Sequence, residues 1–259
     1  MVHGDLFGYD KVAVAIERLR TFEPPDGYFL AYGGGKDSTV LLELARRSGV
    51  KFEAHYHNVT IEPPELVQFV RQVPGVIVDR PAKSFFQLLP QKGFPLRQRR
   101  WCCQALKEGG GAGRVVLLGV RWEESIRRRD RKMVEAPAPN CPIGRRKTCV
   151  SPIIDWTSDD IWQFIKSEKL LYCRLYDEGF KRLGCIACPM QSADQRRMGL
   201  ARWPKFEPAF RLAFRRLFEN RMAAGTWNVK QWPSGDACFD WWLSNTTAQP
   251  KAQEWFDYD

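Results

Sequence analysis

Gly33, Gly34 and Gly35 run directly into Lys36, Asp37 and Ser38. Glycines let backbone N–H groups approach a phosphate with no Cβ in the way, and a helix starting there adds partial positive charge. Lys36 supplies a mobile cation and the Ser38 hydroxyl a further donor. Asp37, between them, suits the positioning of a metal or of a nucleophile. Asp37 also breaks the Walker A ending of Gly-Lys-Ser/Thr, and the dinucleotide fingerprint Gly-x-Gly-x-x-Gly is absent. The segment is therefore expected to hold nucleotide phosphates in a loop of another type.

Cysteines form the second arrangement. There are eight in the chain. With no export signal, a disulfide framework is disfavoured, because the cytosol keeps thiols reduced; metal binding or redox chemistry is the better expectation. Cys102 and Cys103 are adjacent, and Cys185-x-x-Cys188-Pro189 follows far downstream. A C-x-x-C pair brings two thiolates to one metal, and distant cysteines must complete the four ligands of a zinc or iron–sulfur site. Cys141 is a further candidate and Cys149 a weaker one, so candidates outnumber ligand places. Cys238 has no obvious base beside it and reads as a packed thiol among aromatics. His55 and His57 share one face of a strand, but two ligands do not make a metal site.

Local patterning supplies the elements that must carry these residues. Val12, Ile16 and Leu19 mark a helix over Lys11–Thr21. An apolar run at 28–32, the three glycines and helical periodicity over 38–47 make a strand, a tight turn and a helix. Strands are expected at 51–58 and 76–78, with a helix at 65–72 behind Pro63 and Pro64. Residues 114–120 read as the clearest buried strand. Arg121 then emerges at the carboxyl edge of the sheet, where open α/β sheets bind ligands, and Glu124, Ser125 and Arg128 follow on the next turns. Alternating strands and helices imply a Rossmann-like, doubly wound parallel sheet of the α/β class. Residues 130–150 read as a basic loop, Thr157 opens another helix, and Phe206–Ala223 is a basic amphipathic helix. The expected division is a nucleotide-loop domain with the cysteine site over residues 1–200 and a helical, aromatic-rich extension over 201–259.

The chain has 259 residues, 44% of them hydrophobic, enough for a large domain with an appendage. No apolar run approaches the roughly 20 residues of a membrane helix, so a cytoplasmic protein without a membrane partner is expected. The net charge is +10. It is bunched at 97–100, 127–132 and 145–147, which suits an anionic ligand or a polymer such as nucleic acid.

Residues 33–38 resemble the PP-loop of the adenine nucleotide alpha hydrolase-like superfamily, usually Ser-Gly-Gly-x-Asp-Ser, with Gly33 where the first serine stands. The cysteine arrangement resembles the phosphoadenosine/adenosine phosphosulfate reductase family. The resemblance continues through Leu118-Gly-Val-Arg-Trp-Glu-Glu-Ser125, Pro152-Ile-Ile-Asp155-Trp156, Asp160-Ile-Trp162 and Leu175-Tyr-Asp-Glu-Gly179. It spans about residues 28–190, and shorter phage and prophage members look similar. The resemblance implies ATP or adenylyl sulfate, with Mg, bound by Gly33, Gly34, Gly35, Lys36, Asp37 and Ser38, and by Arg121, Ser125 and Arg128 near the phosphosulfate. Catalytic roles would fall to Lys36, Asp37 and Arg121. It also implies a [4Fe–4S] cluster, with zinc as the alternative, on ligands drawn from Cys102, Cys103, Cys141, Cys185 and Cys188. The family's C-terminal Glu-Cys-Gly-Leu-His segment has no counterpart here.

Three functions compete at this point. One is an enzyme that adenylates and thiolates an acceptor, nucleic acid included, with a cysteine desulfurase or another sulfur or electron donor as partner. The second is a reductase forming sulfite from adenylyl sulfate or phosphoadenylyl sulfate. The third is a non-catalytic accessory that binds nucleotide and nucleic acid. The absent tail segment weighs against the second, and the basic excess favours the first or third.

Overall fold

The computed structural model describes residues 10–137 and 146–244. Cys141, Arg145 and Trp255 lie outside the described residues. Six strands form one sheet: β1 (Tyr28–Ala31), β2 (Phe52–His57), β3 (Val76–Asp79), β4 (Val115–Leu117), β5 (Val134–Glu135) and β6 (Thr148–Val150), in the order β3-β2-β1-β4-β6-β5. All neighbours are parallel except β5, which runs antiparallel to β6 at the edge. The expected α/β class therefore holds, with one correction. The ends of the supposed loop 130–150 pair as strands, which are too short to show alternation in sequence.

β1 is central because Tyr28, Phe29 and Leu30 are all buried, as a strand covered on both faces requires. Helix α1 (Lys11–Thr21) is capped by Asp10, whose carboxylate accepts from the Val12 and Ala13 amides at 2.9 and 3.1 Å. Helix α2 (Lys36–Ser48) begins earlier than its apolar spacing suggested, because Gly35 takes the extended N-cap conformation directly after the turn. It ends at Gly49, in the left-handed region. Helix α3 (Pro64–Gln72) and helix α7 (Ser158–Ser167), the latter opened by a Thr157–Asp160 capping box, complete the helices that flank the sheet. From β1 the chain winds outward through β2 and β3, then crosses to β4 on the other side of β1. The reversal leaves a crevice beyond the carboxyl ends of β1 and β4, the place where such sheets take ligands.

Two compact units result. The first holds the sheet: the segment through His57, Pro64–Asp79 and Gly109–Leu183. The second comprises Asn58–Pro63, Arg80–Glu108 and the segment from Gly184 on. It contains α4 (Phe85–Lys92), α5 (Trp101–Leu106), α8 (Ala193–Arg202), α9 (Phe206–Ala223) and α10 (Gly235–Ser244). The units do not part at the expected position near residue 200, because α4 packs on α9 and α8 packs on α10. Rings drive this packing: Phe94 stacks on Phe214 at 5.8 Å, and Phe210, Phe214, Phe239 and Trp242 are all buried together.

The basic face of α9 is partly spent within the unit. Arg211 pairs with Glu207, Asp236 and Asp240, and Arg215 with Asp236. Cys238 of α10 is fully buried, and burial pushes its thiol well above the ordinary value of 9.0. A group whose pKa is raised by folding contributes stability below its unfolded value and loses it as pH climbs. Denaturant midpoints should therefore fall between pH 8 and pH 10.5, and Cys238→Ala should flatten that slope; a Cys238→Ala slope equal to wild type contradicts the assignment. Among the described residues, no helix is long and apolar enough to cross a membrane.

Candidate functional site

The glycine turn is built for close approach. Gly34 sits at φ +68°, and a Cβ there would lie 2.7 Å from side-chain carbons of Leu66 and Val70. No other residue fits that position without displacing α3. Gly119, just after β4, plays the matching part from the other strand: its Cβ would stand 3.1 Å from the Asp37 carbonyl carbon. Two strand ends and the start of α2 are thus drawn together. Gly33 is open, with only the Ser38 hydroxyl within 3.9 Å of its would-be Cβ. A serine would have space there.

Charges converge on Asp37. Its Oδ1 accepts from Lys36 Nζ at 2.9 Å and from Arg121 Nε at 2.7 Å. Both of these bonds fall on the one oxygen. Arg121 is 2% exposed, and its remaining donors are engaged as well. Nη1 reaches Glu123 at 2.9 Å and the Trp156 carbonyl at 3.1 Å, and Nη2 reaches the Ser158 hydroxyl at 3.4 Å. Ser38 donates to the Gly35 carbonyl at 2.9 Å, closing the turn. The loop residues, Lys36, Asp37 and Arg121 therefore come together.

Ser125 and Arg128 follow Arg121 on the next turns. Ser125 is exposed between the 3₁₀ turn Trp122–Glu124 and α6 (Ile126–Arg129), and caps α6 without a side-chain bond. Arg128 pairs with Glu124, which also accepts from the Arg121 amide at 3.0 Å. Glu124 was expected beside Arg121 from sequence, whereas Glu123, Ser158 and Tyr176 were not picked out as site residues. Tyr176 lies in the quoted Leu175–Gly179 stretch, but irregular backbone gave no periodicity to place it.

In the second unit, Cys102, Cys103, Cys185 and Cys188 line one pocket of about 30 Å³. The first pair opens α5. The second is shaped by Ala187, at φ 54°, a left-handed turn that a Cβ-bearing residue adopts at a cost. Apart from Lys107 the wall is apolar, with Val59, Ile61, Phe85 and Trp242. A hydrogen bond from Cys102 lowers the Cys103 thiol to about 7 against the pull of burial, whereas burial pushes Cys185 and Cys188 up. Glu62 and the neighbouring Cys185, Cys103 and Cys188 hold the Lys107 ammonium above the usual lysine range. As the side chains stand, no three metal-ligating groups among the described residues are close enough to hold an ion. The donor set nevertheless suits one: four soft sulfur ligands with a cation beside them. Cys149 lies on β6 in the sheet unit and does not line this pocket. His55 and His57 both face Asp79, at 2.9 and 3.6 Å, and Phe29 stacks on His55 at 4.4 Å.

A glycine turn between a central strand and a helix, at the point where strand order reverses, defines a nucleotide-binding α/β domain of PP-loop type. Residues 27–191 match the phosphoadenosine phosphosulfate reductase domain, and the chain belongs to that family. An uncharacterized protein of Methanocaldococcus jannaschii is 26% identical over 88% of this chain and 49% of its own length. The chain thus spans about half of that relative. The adenosine 5'-phosphosulfate reductase of Oceanobacillus iheyensis is 24% identical over 65% of this chain and 74% of its own. Among solved structures, the phosphoadenylyl-sulfate reductase of Candida auris in a phosphate complex superposes with a TM-score of 0.51 at 18% identity, covering 66% of this chain and 87% of that one. That likeness bears out the expected fold. Family membership supports a PP-loop nucleotide-binding enzyme.

Proposed function

We propose that this enzyme binds ATP on residues 33–38, transfers the adenylyl group to an acceptor oxygen with release of pyrophosphate, and so prepares that oxygen for replacement by sulfur. The observation that carries this reading is the pair of cations, Lys36 and Arg121, sharing one oxygen of Asp37 at the sheet's switch point. Lys36 would meet the phosphates, and the remaining Asp37 oxygen would hold Mg. A [4Fe–4S] cluster held by Cys102, Cys103, Cys185 and Cys188 would bind or position a sulfur species there; zinc would take the same ligands. Cys141 keeps its place as a candidate ligand. A cysteine desulfurase or another sulfur or electron donor would serve the pocket. Exposed Arg127, Arg129 and Lys132 would hold the phosphates of a nucleic-acid acceptor.

A second reading, sulfite formation from adenylyl or phosphoadenylyl sulfate, is supported by the reductase relatives. The full burial of Cys238, the one cysteine in the sequence after Cys188, weighs against it. Turnover separates the readings. AMP and pyrophosphate from ATP support the first, sulfite from adenylyl sulfate the second, and neither product leaves a non-catalytic accessory.

A further inference from the structure

Tyr176 stands over the start of α2 on a short 3₁₀ turn, Arg174–Tyr176. Its hydroxyl accepts the Lys36 backbone N–H at 2.9 Å and lies 3.4 Å from where a Cβ on Gly35 would be. That amide belongs to the first residue of a helix, where N–H groups have no partner within the helix and favour anions. The ring is held in place: it meets Trp162 edge-on at 5.1 Å and Tyr172 at 6.4 Å. Burial raises the Tyr176 pKa, the Lys36 bond opposes this, and the Asp37 charge adds to it, so the hydroxyl keeps its proton at neutral pH. Among the described residues, that proton has no acceptor. The hydroxyl has taken one bond and has one still to give.

We propose that Tyr176 is an anion-binding residue of the loop, accepting from the Lys36 amide and donating to a nucleotide phosphate oxygen. The inference rests on the reading of residues 33–38 as a nucleotide loop and adds a donor that the glycine motif does not contain. Donation in series strengthens both bonds, because each polarises the other. The opposite role is a plug: a hydroxyl that occupies the amide and must be displaced by phosphate. The two roles differ in the sign of one measurement.

Tyr176→Phe keeps the ring and removes the hydroxyl. Calorimetric titrations with ATP, pyrophosphate and adenosine, on wild type, Tyr176→Phe and Lys36→Ala, read the outcome. A donor to a charged oxygen predicts that Tyr176→Phe binds ATP and pyrophosphate about ten-fold more weakly, with adenosine unaffected. Unchanged or tighter binding of pyrophosphate by Tyr176→Phe overturns the proposal. So does an equal loss for all three ligands, which would mean a structural role. If Lys36→Ala weakens ATP while Tyr176→Phe does not, the loop reading stands and only the tyrosine assignment falls. If neither variant changes ATP affinity, the loop reading fails and takes this one with it.

Discussion

Arg121→Ala is expected to lower the free energy of unfolding by about 2–3 kcal/mol, and to weaken nucleotide binding as a consequence. The side chain is 3% exposed, and it bridges Asp37 to Glu123, the Trp156 carbonyl and Ser158. Removing it leaves a buried carbonyl without its donor and frees Asp37 to draw Lys36 away from the phosphate position. Partial exposure of Asp37, at 22%, and Glu123, at 50%, keeps the expected loss below that of a fully enclosed pair. Arg121→Lys should recover only part of the loss, since an ammonium cannot reproduce the guanidinium's spread of donors. Urea denaturation measures this directly. A change under about 0.5 kcal/mol for Arg121→Ala would mean that the network does not hold the crevice together.

Cys188→Ser should have the other large effect. Protein prepared without oxygen is expected to be brown, with about four irons and four sulfides per chain, as a four-cysteine cluster requires. The proposed ligands lie on α5 and around the Ala187 turn, segments far apart in sequence, so a bound metal would staple the second unit. Cys188→Ser should then lose the colour and lower the melting temperature in the same step. Metal uptake must release protons from the thiols that burial holds protonated, so apparent affinity should rise with pH across neutrality. A colourless protein with one tightly held zinc would replace iron–sulfur and keep the ligands. Absence of any metal, in protein made anaerobically with iron supplied, would remove both.

What the sequence revealed depended on whether the information was local. A strand, three glycines and a helix start are contiguous, so the loop could be read directly, as could Arg121 at the end of β4. The four pocket cysteines were recognisable from adjacency and C-x-x-C spacing, although α5 and the Ala187 turn have no periodicity. Tyr176 was hidden because its role comes from a hydrogen bond across 140 positions. The second unit was misjudged for a similar reason: Phe94, Phe210 and Trp242 form one core only when α9 meets both α4 and α10. The sequence marked α9 only as a basic amphipathic helix, whereas Arg211 and Arg215 find Asp236, and Arg211 also finds Asp240, on the following helix.

The central claim is that residues 33–38 hold the phosphates of a nucleotide. Lys36 tests it well, because its side chain is 8% exposed and its ammonium has Asp37 as partner, while the turn itself is set by Gly34 and Gly35. Calorimetric titration of ATP with Mg into wild type and Lys36→Ala is the direct measurement. Saturable binding by wild type, weakened at least about ten-fold in a Lys36→Ala protein that unfolds as cooperatively as wild type, is the predicted result. Equal affinity in the two proteins would contradict it.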